Sequence, residues 1–164
     1  MTQIIPGILP FTRSLIERVV QPGDVVVDAT MGNGLDTLFL AKLVQETGTV
    51  LAYDIQESAL EKTKARLVEQ QADQQVKLLL KGHEHVGDEL AQLDVQISAA
   101  MFNLGYLPGS DKTIVTRPKT TLTALNHLAY ALKPGGIISV VIYWGHEGGA
   151  LEKETLLEAL HTWD

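Results

Sequence analysis

The chain has 164 residues, which is enough for one domain with a hydrophobic core. It contains no cysteine, which excludes disulfides and thiolate metal ligands and fits a cytoplasmic protein. The formal net charge of −7 argues against a general nucleic-acid binder, although a local contact with one RNA loop stays open. From the N-terminal residues we expect no signal peptide, and because no apolar run reaches the roughly 18–20 residues that cross a membrane, no membrane partner is expected.

Helical and strand patterns alternate from the start of the chain. Apolar residues recur at helical spacing from Phe11 to Val20, and "PGD" then ends the predicted helix. The β-branched run "VVVDA" predicts the first strand, a helix is expected from about Leu35 to Val44, and "GTVLAYD" predicts the second strand. Residues 57–71 predict an exposed amphipathic helix.

The second half of the chain repeats this alternation. "VKLLL" and "VQISAAMFN" predict the third and fourth strands, and leucines from Leu122 to Leu132 predict a helix that "KPGG" ends. "IISVVIY" predicts the fifth strand, and a last helix contains Leu156. Such alternation predicts an α/β fold with a doubly wound, mostly parallel sheet covered by helices on both faces. Ligands of these sheets bind at the carboxyl ends of the strands.

Two glycines, Gly32 and Gly34, follow the first strand in "DATMGNG". Because they lack Cβ, the backbone can turn tightly and approach a ligand, and the following helix offers free N–H groups to an anion. The second strand ends in Asp54, whose carboxylate can accept hydrogen bonds from both hydroxyls of a ribose. Thr37 stands where a dinucleotide motif would have its third glycine. The pattern indicates a nucleoside-containing cofactor, and a turn with a solvated acid is the alternative.

The stretch "FNLGYLPG" follows the fourth strand. Asn103 can accept a hydrogen bond from an amine through its side-chain carbonyl, and the backbone carbonyl of Leu104 can take another. Tyr106 can stack on a base. The alternative is a strand-end turn with Tyr106 packed at the rim.

"IYWGHEGG" closes the fifth strand with a pair of aromatic residues and a histidine. Tyr143 and Trp144 suit a pocket wall, and His146 is suited to take a proton near neutral pH. The alternative makes Trp144 a core plug and His146 a surface turn residue. The basic cluster that can meet RNA consists of Lys112, Arg117 and Lys119. Metal ligation by His83 and His85 is the less favoured interpretation of "GHEH", because no third ligand is evident, and no metal site is predicted.

"DVVVDATMGNG" and "LKPGG" resemble the signatures of class I S-adenosylmethionine-dependent methyltransferases, with Thr30 in place of the first glycine of D-x-G-x-G-x-G. The resemblance implies S-adenosylmethionine as cofactor, with its methionine part between Asp28 and the glycines, its ribose at Asp54 and its adenine near His83. The cofactor-binding residues that it implies are Asp28, Thr30, Gly32, Asn33, Gly34, Asp36, Thr37, Asp54, Ile55, His83 and Asn103.

Three longer stretches narrow the resemblance: "ILPFTRSLIERVVQPGDVVVDATMGNGLDTLFLA", "FNLGYLPGSDK" and "VIYWGHEGG". Together they resemble a small bacterial family, long filed as putative rRNA methylases and now understood as tRNA methyltransferases. Its members convert 5-aminomethyl-2-thiouridine to 5-methylaminomethyl-2-thiouridine at the wobble position. The resemblance implies the anticodon loop of tRNA as partner. The catalytic residues expected are Asn103, Leu104, Tyr106 and His146, and the substrate-binding residues are Tyr106, Lys112, Arg117, Tyr143 and Trp144.

Two other functions stay open: an rRNA or small-molecule methyltransferase, and a non-catalytic module that binds S-adenosylmethionine. The family continues past the last helix with about two more strands, so we expect residues 1–164 to form a single methyltransferase domain that lacks the usual C-terminal antiparallel pair. The strand from Ile137 to Tyr143 would then have a free edge. A free edge invites pairing with another chain, so we expect a neighbouring chain, for instance in a homodimer, to cover it.

Overall fold

A computed structural model describes residues 6–109 and 111–163. The helices are α1 (Ile8–Glu17), α2 (Leu35–Val44), α3 (Glu57–Glu69), α4 (Val86–Leu93), α5 (Pro118–Ala131) and α6 (Gly149–Leu160). The strands are β1 (Val25–Asp28), β2 (Thr49–Asp54), β3 (Val76–Leu80), β4 (Ile97–Leu104) and β5 (Leu132–Ile142). A short 3₁₀ helix, His83–His85, precedes α4. None of the helices in the described ranges is long and apolar enough to cross a membrane.

The five strands form one parallel sheet in the order β3-β2-β1-β4-β5. The strand order reverses beside β1, because the chain moves outward to β3 and then returns to place β4 on the other side of β1. A crevice forms at the carboxyl ends of the strands at such a switch point. The doubly wound α/β fold that the sequence predicts is therefore confirmed, and the topology places the loops after β1 and β4 side by side.

The core lies on both faces of the sheet, which explains the continuous apolar runs. Val26 and Val27 are both fully buried, yet they belong to clusters on opposite faces. Val27 packs with Leu125 of α5 and Leu156 of α6, while Val26 packs with residues of α1, α2 and α3 such as Leu40. A strand covered on both faces has no solvent side, so its sequence does not alternate between apolar and polar residues.

Two elements differ from the sequence-based expectation. Helix α4 is not predicted from the sequence, because only Val86 and Leu90 mark its buried side and the segment is eight residues long. Strand β5 begins at Leu132, so "KPGG" lies within the strand instead of between helix and strand. The pairing with β4 is irregular there, and Gly135 has a φ of +81°, a value that glycine adopts without strain. Among the described strands, β5 pairs only with β4, so it forms one edge of the sheet.

Candidate functional site

A cavity of about 730 Å³ opens at the carboxyl ends of the strands, a volume typical of sites for small molecules and cofactors. The loops after β1, β2, β3 and β4 all contribute to its wall. The sequence-predicted site residues that line it are Thr30, Gly32, Asn33, Asp36, Asp54, Ile55, His83, Asn103, Tyr106, Lys112, Arg117 and Tyr143. Residues that are far apart in the sequence, from Thr30 to Tyr143, thus meet at one site.

Asp54 ties the glycine loop to the end of β2. Its Oδ2 accepts a hydrogen bond from the backbone N–H of Gly32 at 3.1 Å, and its Oδ1 accepts one from Gln56 N–H at 2.9 Å. Burial raises the pKa of Asp54, while these N–H groups oppose the rise. The partly buried carboxylate lines the cavity and retains lone pairs for hydroxyl donors, as a ribose-binding acid requires.

Asp28 lies beneath the glycine loop and does not line the cavity. Its carboxyl group is fully buried, where it accepts hydrogen bonds from Thr37 Oγ1 at 2.6 Å and from Thr30 N–H at 3.2 Å. Gly34 and Thr37 are also absent from the cavity wall. A Cβ on Gly34 would lie within 3 Å of Thr63 on α3, so close packing explains this glycine. In the structure Asp28, Gly34 and Thr37 support the loop from below, and the cofactor contacts expected of them stay predictions.

The buried Asp28 leads to a prediction about stability. Burial is the largest cause that raises the pKa of this carboxyl group, to about 7. Because the folded state holds the proton more tightly than the unfolded chain, Asp28 makes the folded state less stable as the pH rises from about 4 to 7. Asn mimics the protonated acid, since its Oδ1 can accept from Thr30 and its amide can donate to Thr37. Asp28→Asn should therefore gain stability relative to the wild type between pH 5 and pH 8, by on the order of 1–3 kcal/mol. Urea unfolding of both proteins at pH 5 and pH 8 tests this. An equal difference in the free energy of unfolding at the two pH values would contradict it.

Asn103 belongs to a hydrogen-bond chain with Asp36 and Arg13. The Asn103 Nδ2 group donates to Asp36 Oδ2 at 2.6 Å, and Arg13 donates to Asp36 Oδ1 through Nε at 2.9 Å and Nη2 at 2.6 Å. The Asn103 backbone N–H donates to Thr30 Oγ1 at 2.8 Å. Because the carboxylate attracts the amide N–H, the Asn103 Oδ1 is directed away from Asp36. That oxygen is buried and has no hydrogen-bond partner among the described residues, which suits it to accept an N–H donor that enters the cavity.

The backbone carbonyl of Leu104 is engaged inside the sheet. It accepts a hydrogen bond from Tyr143 N–H at 3.0 Å, and Leu104 is fully buried and absent from the cavity wall. Leu104 thus joins β4 to the residue after β5, and the contact of its carbonyl with the acceptor amine stays a prediction. Asn103 remains as the acceptor group of this motif that faces the cavity.

Two of the aromatic residues lie outside the cavity wall. His146 packs with its ring edge-on to Tyr106, with 5.8 Å between the ring centroids, and it does not line the cavity. Trp144 is 56% exposed and stacks against Lys153, whose Nζ lies 4.4 Å from the ring centroid. His146 supports the Tyr106 ring and Trp144 lies on the surface beside the site, and the catalytic contact of His146 and the pocket contact of Trp144 stay predictions.

His83 occupies the far wall of the cavity as a buried ring. Its Nδ1 donates to the carbonyl oxygen of Ala29 at 2.9 Å, and its ring meets Phe102 edge-on with 5.4 Å between centroids. Burial lowers the pKa of His83, which favours the neutral ring. His85 points elsewhere, with half of its side chain exposed. Within residues 6–109 and 111–163, no cluster of three or more His, Cys, Asp and Glu side chains is arranged to hold a metal.

Arg13, Thr116 and Glu152 are among the polar residues of this region that the sequence did not reveal. Arg13 lies on α1, 23 residues before its partner Asp36, and the apolar spacing of that helix identifies its buried face but not the partner of a charge. Glu152 lies in an acidic stretch of α6 that is typical of a solvent-exposed helix face, yet it is 1% exposed. Only the tertiary fold brings these groups to the site.

The parallel sheet, with an acid at the end of β2 tied to a glycine loop after β1, defines the class I methyltransferase fold. A putative methyltransferase from Streptococcus mutans, solved in complex with SAH, is 35% identical to this chain with a TM-score of 0.88. The match covers 98% of this chain and 85% of that one. A putative rRNA-methylase from Clostridium thermocellum is 44% identical with a TM-score of 0.95, over 99% of this chain and 86% of that chain.

Residues 50–164 match the family described as putative rRNA methylase, and the chain belongs to that family. The tRNA (mnm(5)s(2)U34)-methyltransferase, chloroplastic, of Arabidopsis thaliana is 44% identical over 148 residues, which are 85% of this chain and 54% of that protein. The chain thus spans about half the length of this relative. The family resemblance of the sequence is confirmed.

Proposed function

We propose that this chain is an S-adenosylmethionine-dependent methyltransferase that acts on the exocyclic amine of 5-aminomethyl-2-thiouridine at the wobble position of tRNA. Membership of the family and the relative named as a tRNA (mnm(5)s(2)U34)-methyltransferase support the RNA and the nucleotide. The observation that carries the proposal is the unpaired, buried Oδ1 of Asn103 at a cavity that Asp54 and the glycine loop also line. An amine N–H is the donor that this oxygen lacks.

The residues at the cavity fit S-adenosylmethionine. The Asp54 carboxylate suits the ribose hydroxyls, Ile55 offers an apolar surface beside it, and the buried His83 bounds the side where adenine would lie. The backbone at Gly32, with a φ of +50°, brings peptide groups to the cavity without a side chain between them. When bound, the cofactor supplies a methyl group on a positively charged sulfur.

The chain contributes to the reaction by positioning the amine of the substrate. If Asn103 Oδ1 accepts one amine N–H, the nitrogen lone pair is held in one direction, and fixing this direction supplies much of the rate enhancement of a displacement. Transfer of that methyl group to the neutral amine would leave uncharged S-adenosylhomocysteine and a secondary ammonium ion, and the proton that the starting ammonium loses beforehand would go to solvent. Tyr106 and Tyr143 lie at the cavity mouth, where aromatic rings can stack on a base.

Lys112 and Arg117 place positive charge at the cavity of a chain whose net charge is −7. We expect the double variant Lys112→Ala/Arg117→Ala to raise the KM for tRNA, because two phosphate contacts are lost. The slope of log KM against log salt should fall by about 1.4, or about 0.7 for each lost contact with single-stranded RNA. The double variant Lys62→Ala/Lys64→Ala on the exposed side of α3 is the matched control. Equal salt slopes in the wild type and the Lys112/Arg117 variant would contradict an RNA contact at this edge.

Transfer of tritiated methyl groups to unfractionated RNA, followed by nucleoside analysis, tests the proposed function. Label in 5-methylaminomethyl-2-thiouridine of tRNA is the expected result. Small amines and purified rRNA serve as competing substrates, because the acidic chain favours small molecules more than RNA. Label confined to rRNA or to a small amine would overturn the assignment of the substrate, and no transfer to any acceptor would overturn the assignment as an enzyme.

The cytoplasmic location and the homodimer stay predictions. Strand β5 presents a free edge in the described part of the chain, and such an edge is a template for pairing with another strand. Sedimentation over a range of concentrations, with hydrogen exchange of the β5 amides, distinguishes a covered edge from an exposed one.

A further inference from the structure

Glu152 of α6 is a buried carboxyl group outside the cavity wall, with 1% of the residue exposed. Its Oε2 accepts a hydrogen bond from Thr116 Oγ1 at 2.9 Å, and its Oε1 lies 3.4 Å from Thr121 Oγ1. Burying a carboxyl group costs free energy that an apolar side chain of similar volume would not cost. Packing alone therefore does not explain an acid at this position.

The first partner of Glu152, Thr116, closes the base of the loop that follows β4. Thr116 Oγ1 accepts a hydrogen bond from Gly105 N–H at 2.9 Å, and Thr116 N–H donates to the Gly105 carbonyl at 2.9 Å. The next pair, Tyr106 and Val115, forms an antiparallel β-bridge. We call residues 105–109 and 111–116 the acceptor loop. Its base is a pair of short antiparallel segments, and Tyr106 and Lys112 are among its residues that line the cavity.

The Thr116 hydroxyl connects this base to Glu152. A hydroxyl has one proton to donate, and the Thr116 oxygen already accepts the Gly105 N–H. The proton is therefore free to point at Glu152, and this bond fixes the side-chain rotamer in which Thr116 can hold Gly105. Without an acceptor at position 152, the partly buried hydroxyl would lose this hydrogen bond and its fixed rotamer.

The second partner of Glu152 leads toward the cofactor side of the cavity. Thr121 lies on α5 and is fully buried, and its Oγ1 is 3.5 Å from Nε2 of His83. His83 in turn donates from Nδ1 to the carbonyl of Ala29, the residue that follows β1. Glu152 thus stands between the base of the acceptor loop and the wall that His83 forms.

We propose that Glu152 is a positioning residue that acts through Thr116 to hold the acceptor loop, and with it Tyr106, in the conformation that receives the acceptor. The inference rests on the proposed function for the identity of the acceptor. Because Glu152 contacts the base of the loop and not the cavity, its loss should weaken productive binding of the acceptor and leave the affinity for the cofactor product nearly unchanged.

The test compares Glu152→Leu, which removes the acceptor for Thr116, with Glu152→Gln, which retains an amide oxygen for it. Hydrogen exchange of the Gly105 amide should become about tenfold faster in Glu152→Leu, the scale of one weakened hydrogen bond, and stay near the wild-type rate in Glu152→Gln. The kcat/KM for tRNA should fall by about tenfold in Glu152→Leu, while the Kd for S-adenosylhomocysteine changes by less than about twofold. Glu154→Leu, an exposed acid on the same helix, is the matched control.

Thr116→Val keeps the test decisive if Glu152→Leu does not fold, because it removes the same hydroxyl with little change in volume, and Thr116→Ser should restore the behaviour. The effects of Glu152→Leu and Thr116→Val should not add in the double variant, since both interrupt one chain of hydrogen bonds.

A wild-type exchange rate at Gly105 in both variants would overturn the proposal. An equal loss of affinity for S-adenosylhomocysteine would also overturn it, since that result indicates a general structural role. If the wild type fails to methylate tRNA, the proposed function fails, and exchange at Gly105 still decides the role of Glu152.

Discussion

Asn103→Ala should lower kcat for methyl transfer by about tenfold to a hundredfold and leave the affinity for S-adenosylhomocysteine nearly unchanged. The expected magnitude is that of a hydrogen bond to a charged group, about 1.5–3 kcal/mol, because the amine nitrogen gains positive charge as the methyl group arrives. Alanine removes the Oδ1 that has no partner among the described residues, and it leaves Asp54 and the glycine loop in place. Single-turnover methylation and calorimetric titration measure the two effects separately.

Asn126→Ala on the exposed side of α5 is the matched control, because it deletes the same amide group away from the cavity. A second comparison uses Arg13→Met, which removes the bonds that fix Asp36 without touching the acceptor oxygen itself. It should reduce kcat less than Asn103→Ala does. Normal single-turnover rates in Asn103→Ala would remove this residue from the mechanism.

The same proposal predicts how activity depends on pH. The amine must lose a proton before it can attack, so kcat/KM should rise as the pH increases until the proton-accepting group or the amine has titrated. The Asn103 amide does not titrate, so the Asn103→Ala variant should keep the shape of the profile at a lower level. Rates measured from mildly acidic to alkaline pH test the expectation, and a flat profile would show that proton loss does not limit the reaction.

The fold could be predicted from the sequence because its strands are short apolar runs, each followed by a loop with glycine, proline or polar residues. "VVVDA" and "VKLLL" need no knowledge of their neighbours to be identified as strands, and the alternation with helices determines the parallel sheet. Site residues at the carboxyl ends of the strands, such as Asp54 and Asn103, follow from the same rule, because parallel strands bring these ends to one edge.

The sequence does not show which atoms at these strand ends have hydrogen-bond partners within the protein. The carbonyl of Leu104 and the carboxyl of Asp28 have the chemistry that a cofactor or acceptor needs, and in the structure they accept hydrogen bonds from Tyr143, Thr37 and Thr30. Hydrogen-bond partners of this kind lie between 2 and about 40 residues apart in the sequence, and no local pattern identifies them. Sequence reasoning therefore identified the region of the site better than the role of each group in it.

Asp54→Ala should weaken the binding of S-adenosylhomocysteine by about tenfold to a hundredfold, which corresponds to about 1.5–3 kcal/mol for lost hydrogen bonds to a charged group. Two effects combine in this variant. The ribose hydroxyls lose their proposed acceptor, and the backbone N–H of Gly32 loses the carboxylate that ties the glycine loop to the end of β2. Since Asp54 does not contact Asn103 in the structure, the rate at saturating cofactor should change less than the affinity does. Titration calorimetry and methylation at high cofactor concentration measure the two quantities.

Asp54→Asn separates the two effects, because its single carbonyl oxygen can accept from Gly32 or Gln56, while its amide N–H group repels the other donor. The asparagine variant should bind S-adenosylhomocysteine with an affinity between those of the wild type and the alanine variant. Glu57→Ala, which removes an exposed acid in the first turn of α3, controls for a general change of charge near the cavity and should leave affinity unchanged. If Asp54→Ala binds as tightly as the wild type, the ribose does not lie at the end of β2. If Glu57→Ala weakens binding equally, the effect of Asp54 is one of net charge and not of hydrogen bonds to the cofactor.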